Sequence, residues 1–162
     1  MNRQHTRIDL VREILDRELK SIPDEEIKRC AYVHLYGVGQ AAAFISMKRG
    51  YDRVFAELAE TAGMLHDYAK FIENEEEKHA EKSAVYAEQI LKKIPEYSKQ
   101  DIAYVCNAIH NHSKKDEEGN TLDEILKDAD EMQHYFRNPT EETYFEKDRT
   151  QRLLIELGIK IN

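Results

Sequence analysis

The stretch AGMLHDYAKF, residues 62–71, decides how this chain is read. Ahead of it, Val54, Phe55, Leu58, Ala59, Ala62 and Leu65 recur at helical spacing behind Asp52, a fitting N-cap. A helix should therefore run through the segment and deliver Met64-Leu65-His66-Asp67 in its last turn. Adjacent residues inside a helix point roughly 100 degrees apart and do not serve one small site, whereas at a helix end both can reach one ion. Imidazole plus carboxylate suits a hard to borderline divalent cation, and such cations make water a nucleophile in hydrolases.

Outward from this segment the pattern stays helical. Thr6 and Asp9 resemble a capping box for a helix over residues 7–20, with Ile8, Val11, Leu15 and Leu19 on one face. Pro23 and Asp24 start a second, carrying Cys30, His34, Val38, Ala42 and Ile45 and ending near Gly50. After the acidic loop Glu73 to Glu77, a fourth runs from about Ala80 to before Pro95. Ser98 with Asp101 caps a fifth, and Thr121 with Glu124 reads as the capping box of a sixth that ends at Asn138-Pro139. The tail from Thr140 to Gly158 should be one more helix, with Leu153, Leu154 and Leu157 as its contacts. The expectation is an all-α bundle of about seven helices in a single domain over 1–162, its core at about 24–137 and a C-terminal helix and tail at 138–162.

Composition sets the class. The chain has 162 residues, enough for one compact core, and 41% hydrophobic with 35% charged residues and only 6 Gly and 3 Pro suits polar-faced helices. Its net charge of -8 argues against duplex nucleic acid as a partner, because phosphate backbones are held by clustered Lys and Arg. An acidic chain acts on phosphate compounds only where metals or local cations reverse the field. Cys30 and Cys106 stand among apolar residues and read as reduced thiols, which fits a cytoplasmic location. The opening MNRQHTRIDLVREIL lacks the apolar core of a secretory signal, and no run is long enough to span a bilayer, so no membrane contact is expected.

The histidines are the concentrated chemistry. His34, His66, His79, His110 and His112 fall near the ends of four expected helices beside apolar neighbours, and no P-loop, GxGxxG, GxSxG or CxxC pattern competes with them. His110 and His112 are two residues apart and point in nearly opposite directions, so only one of them should face a shared site.

The order His34, His66-Asp67, Asp130 resembles the H…HD…D pattern of the HD superfamily of metal-dependent phosphohydrolases, with AGMLHDYAKF as the core segment and LKDADEM, residues 126–132, as the segment of the last aspartate. The small residue before Asp130 favours it over Asp128. HAEKSA at 79–84 is similar to the H-x-x-x-(Ser/Gly)-Ala segment of two-metal members, and AIHNHS at 108–113 to their I-x-x-H-(Ser/Thr). The subgroup it resembles most is the bacterial HD-type hydrolases that split diadenosine tetraphosphate symmetrically. It departs from them after the last aspartate, where an ADYIEP-like stretch is replaced by Ala129-Asp130-Glu131-Met132-Gln133-His134.

The resemblance implies one or two divalent ions, of Mn, Fe, Ni, Co, Zn or Mg, held by His34, His66, Asp67 and Asp130, with Asp67 bridging and His79 and His112 completing a second site. It implies that Asp67 orients the attacking water and that Lys70 meets a substrate phosphate. A small phosphorylated substrate, a nucleotide and by analogy a dinucleoside polyphosphate, follows from it. The alternative is a non-catalytic HD module that binds a metal or a nucleotide and reports it to a partner.

Overall fold

The computed structural model describes residues 6–160, so the reading of the N-terminal stretch as lacking a signal rests in part on residues 1–5, which lie outside the described residues. Among the described residues no strand occurs, and the helices are α1 (Arg7–Lys20), α2 (Glu25–Lys48), α3 (Arg53–Leu65), α4 (Tyr68–Phe71), α5 (His79–Leu91), α6 (Lys99–Asn111), α7 (Thr121–Arg137), α8 (Glu142–Phe145) and α9 (Asp148–Glu156). The expected all-α class is what is observed, with α4 and α8 as single turns between seven longer helices.

The helix starts follow local chemistry. Asp24 accepts from the N–H groups of Glu26 and Ile27, Asp52 from that of Phe55, and Ser98 and Asp101 cap each other reciprocally at 3.1 Å. Two expectations are corrected. Thr121 is not the cap of α7: Asn120 is, its Oδ1 accepting from Leu122 and Asp123, which frees Glu124 to accept from the N–H of Gly119. The tail is not one helix from 140 to 158, because Lys147 leaves helical geometry at ψ 132 and lets α9 turn back onto α7. There Leu153 and Leu154 join the same buried apolar cluster as Leu122 and Ile125 of α7.

The long helix α2 is the spine, packed mainly against α3 and α7. Gly63 of α3 sits so close to Gly39 of α2 that a Cβ at 63 would lie 2.5 Å from the Cα of Gly39. Only paired glycines allow this crossing, and it brings the face of α2 that bears His34 against the end of α3 that bears His66. Helix α1 is pinned over α3 and α6 by Arg7, paired with Glu57 and Asp101, and by Arg12, paired with Glu60. Both cysteines are free and half-buried, and burial pushes the Cys106 thiol up to about 11. No described helix is long and apolar enough to cross a membrane.

Candidate metal centre

The helix break at the end of α3 performs the local task that the sequence set. His66 is still helical at φ -60, ψ -36, but Asp67 at φ -111, ψ 24 is not, and α4 resumes one residue later. Two neighbouring side chains thereby turn into one buried volume. Ser83 of α5 accepts the N–H of Ala69 at 3.0 Å, fastening this turn to the helix whose first residue is His79.

Around Asp67 the structure brings together His34 from α2, His66 from the end of α3, His79 from the start of α5, His112 from the end of α6 and Asp130 from α7. Asp67 Oδ2 lies 3.6 Å from the Nε2 atoms of both His34 and His66, while its Oδ1 lies 3.4 Å from Nε2 of His79 and 3.2 Å from that of His112. Asp130 Oδ1 faces His34 at 3.4 Å and His66 at 3.6 Å. His34, His66, Asp67, His112 and Asp130 are all buried.

Each of these four histidines is oriented from behind. Nδ1 of His66 donates to the carbonyl of Gly63 at 2.7 Å, that of His112 to Ile109 at 2.7 Å and that of His79 to Glu76 at 3.1 Å, while Gln133 Oε1 accepts from His34 Nδ1 at 2.6 Å. A carbonyl oxygen can only accept, so Nδ1 carries the proton and the lone pair of Nε2 points inward. Two such lone pairs, on His34 and His66, meet at 3.2 Å, and Asp67 Oδ1 and Asp130 Oδ1 are buried without a hydrogen-bond partner. Inward lone pairs beside unpartnered carboxylate oxygens call for a cation.

The electrostatics agree. Burial pushes the Asp67 carboxyl up, but the positive charge that His66, His112 and His34 draw to its oxygens outweighs it and holds the group well below the usual carboxylate range. Asp130 is held low in the same sense, its burial opposed first by Lys115 and then by His66 and His34. Both carboxylates stay ionised and draw positive charge, whether proton or metal. Atoms of His34, His66 and Asp67 lie within 4.8 Å of one another, as do those of Asp67, His79 and His112 and those of His34, Asp130 and His134, so the residues present fit a divalent cation.

The structure separates the members of the two pairs that the sequence left open. His110 is exposed, whereas His112 is buried in the cluster. Asp128 turns away from the histidines and is bound by Arg49 at 2.6 Å and Arg149 at 2.5 Å. Lys70, on α4, is a third exposed with Nζ 3.8 Å from Asp67 Oδ2. Three further residues join the site. Gln133 and His134, the latter a subsite candidate already from the sequence, lie three and four positions after Asp130, the spacing that puts them on its helix face. His134 Nε2 is 3.5 Å from Asp130 Oδ1, and its ring stacks on Tyr144 at 4.8 Å. Burial, with His34 and Lys115 nearby, pushes His134 down in spite of Asp130. Lys115, 2.5 Å from Asp130 Oδ2, comes from a polar loop with no periodicity to announce it.

Residues 31–134 match the model of the HD domain family. The fold is similar to a crystal structure described as a predicted HD superfamily hydrolase from an uncultured Thermotogales bacterium, with a TM-score of 0.61 and 22% sequence identity over 94% of this chain and 83% of that one. No curated protein matches the chain.

Proposed function

This chain belongs to the HD domain family, and we propose that it is a metal-dependent phosphohydrolase acting on a small phosphate ester or anhydride, with a nucleotide as the preferred substrate. The observation that carries this reading is the convergence of four Nε2 atoms, each with its Nδ1 tied to an oxygen, on two carboxylates with unpartnered oxygens. His34, His66, Asp67 and Asp130 would hold one ion, and Asp67, His79 and His112 a second. When bound, divalent ions supply Lewis acidity, polarising a phosphoryl oxygen and making water nucleophilic at neutral pH.

The chain's own residues do the rest. Asp67 presents one oxygen to each histidine pair and would orient the attacking water. Lys70 beside it offsets charge that develops on the phosphoryl oxygens, a contribution that grows where water is excluded. The preference for a nucleotide is supported by a pocket of about 490 Å³ that opens past His134 and is lined by Arg137, Asn138, Glu141 and Tyr144. Its donors and acceptors suit the polar edge of a base. A dinucleoside polyphosphate belongs in the substrate panel on the strength of the motif resemblance.

The test is elemental analysis of purified protein with a phosphatase screen in Mn, Fe, Co, Ni, Zn and Mg over nucleoside mono-, di- and triphosphates and dinucleoside polyphosphates. Metal binding and turnover that both vanish in Asp67→Ala are expected. Protein that holds no metal and hydrolyses nothing under any of these conditions overturns the reading. Protein that binds metal and nucleotide without turnover supports the non-catalytic module instead.

A further inference from the structure

The loop at residues 113–120, SKKDEEGN, has a sequence that ordinarily belongs to solvent, yet it is tied down from two sides. Lys127 of α7, only 1% exposed, donates from Nζ to the carbonyl of Glu117 at 2.7 Å and to Glu124 at 2.9 Å. The N–H of Gly119 donates to the same Glu124 oxygen at 2.9 Å, and Arg149 of α9 donates from Nη2 to the carbonyl of Lys115 at 3.1 Å. Gly119 lies so close to α7 that a Cβ there would stand 2.6 Å from Asp123. Burying a lysine is unfavourable unless its charge is used, and here it is spent on holding a loop.

The tethers give the loop a polarity. Asp116, Glu117 and Glu118 are exposed, and of its charged residues only Lys115 turns inward, to Asp130 Oδ2. That is the oxygen of Asp130 that does not face His34 and His66. Lys115 can therefore leave it for an incoming anion without disturbing the atom that faces the histidines. Lys70 Nζ stands 3.8 Å from Asp67, and the side chains of Lys115 and Lys70 keep 28% and 34% exposure, so neither is sealed from solvent.

We propose that Lys115 is a second phosphate-binding residue beside Lys70, and that Arg149 of the C-terminal helix is the residue that positions it. The inference rests on the phosphohydrolase reading and deepens it: the ligand is a phosphate group with at least two negative charges. Arg149 is suited to the task because its planar fork spans three acceptors, Asp128 through Nη1 and Glu124 and the Lys115 carbonyl through Nη2. It lies outside the matched segment 31–134, so the brace is a contribution of this chain's own C-terminal part.

The test is calorimetric titration of inorganic phosphate into manganese-loaded wild type, Lys115→Met, Lys115→Arg and Arg149→Met proteins, with manganese content measured for each. Lys115→Met should bind phosphate roughly tenfold more weakly or worse at unchanged manganese content, since a charge-assisted contact is lost. Lys115→Arg should retain most of the affinity, and Arg149→Met should reproduce part of the loss. Wild-type phosphate affinity in Lys115→Met, or loss of manganese from that variant, overturns the assignment and leaves Lys115 as a structural partner of Asp130. Wild-type affinity in Arg149→Met overturns the positioning role. Wild-type protein that holds manganese but binds no phosphate overturns the phosphohydrolase reading itself, a result distinct from failure of Lys115 alone.

Discussion

Nε2 of His34 stands 3.2 Å from Nε2 of His66, and both rings already donate their Nδ1 protons elsewhere. Two lone pairs so placed repel until something positive lies between them and Asp67. Metal binding should therefore stabilise the fold as well as enable chemistry. At a free ion concentration of about 100 times Kd, the linkage is worth ~2.7 kcal/mol, or a rise of roughly 5–10 °C in Tm for a chain of this size. Differential scanning calorimetry with and without a chelator measures it directly; an unchanged Tm in protein shown to carry metal contradicts the placement of the ion among these histidines.

His110 and His112 make a matched pair for testing the second ion. Replacing His112, 3.2 Å from Asp67 Oδ1, or His79, 3.4 Å from it, should lower metal content from two ions to one per chain. His110→Ala, on the exposed face of the same helix, should change neither content nor Tm beyond about 0.5 kcal/mol of stability. Equal metal content in His112→Ala and wild type would argue for a single ion.

Much of this was legible in the sequence, and the reasons differ by residue. Amphipathic repeats located the seven longer helices because the core requires apolar faces, and His66-Asp67 was legible because it sat where a helix had to stop. Gln133 was hidden by its type. Its amide oxygen accepts from His34 Nδ1 as a carboxylate would, but a glutamine does not read as the partner of a metal-site histidine. Lys115 was illegible because its placement depends on tethers from Lys127, Glu124 and Arg149, which meet only in three dimensions. The break at Lys147 was likewise tertiary: its Nζ bonds Glu131 on α7 at 2.7 Å, a contact that no local pattern encodes.

The crossing of α2 and α3 is the tightest dependency between fold and site. In Gly63→Ala the new methyl group would meet the backbone of Gly39, which cannot swing aside as a side chain would. We expect ~3 kcal/mol of destabilisation, at the upper end of the usual range for overpacking. Metal affinity should weaken along with it, because separating the helices separates His34 from His66. Urea denaturation measures the first effect and metal titration the second; a variant as stable as wild type contradicts so close a crossing.

Acid should release the loop before it unfolds the core. Burial pushes the Glu124 carboxyl up, but Lys127, the Gly119 N–H and Arg149 outweigh it and bring it down to about 2. A carboxyl depressed in the folded state contributes stability that is fully present above its unfolded value and is lost as pH falls toward the folded one. The window therefore runs from about 4.5, the ordinary glutamate value, down to about 2. Glu124→Gln should be less stable than wild type at neutral pH, with the difference shrinking through that window in chemical denaturation repeated at each pH. A difference independent of pH would mean that the carboxylate's charge is not what holds the loop.

Gln133 offers the sharpest separation of ligand from support, since it touches no inward-facing atom of the cluster but sets the ring of His34 through Nδ1. Its removal leaves His34 able to rotate and to place its proton on either nitrogen, so the population with Nε2 free to bind falls. Outer partners of this kind are worth roughly 10- to 100-fold in metal affinity, and Gln133→Ala should lose that much. Gln133→Glu restores an acceptor that also makes the imidazole a stronger donor of electron density, and it should bind metal at least as tightly as wild type. Competition with a chromophoric chelator measures both. If the alanine and glutamate variants weaken binding equally, the side chain acts through packing against Gly37, where its Cγ would lie 2.9 Å from an added Cβ, and the hydrogen bond to His34 carries no weight.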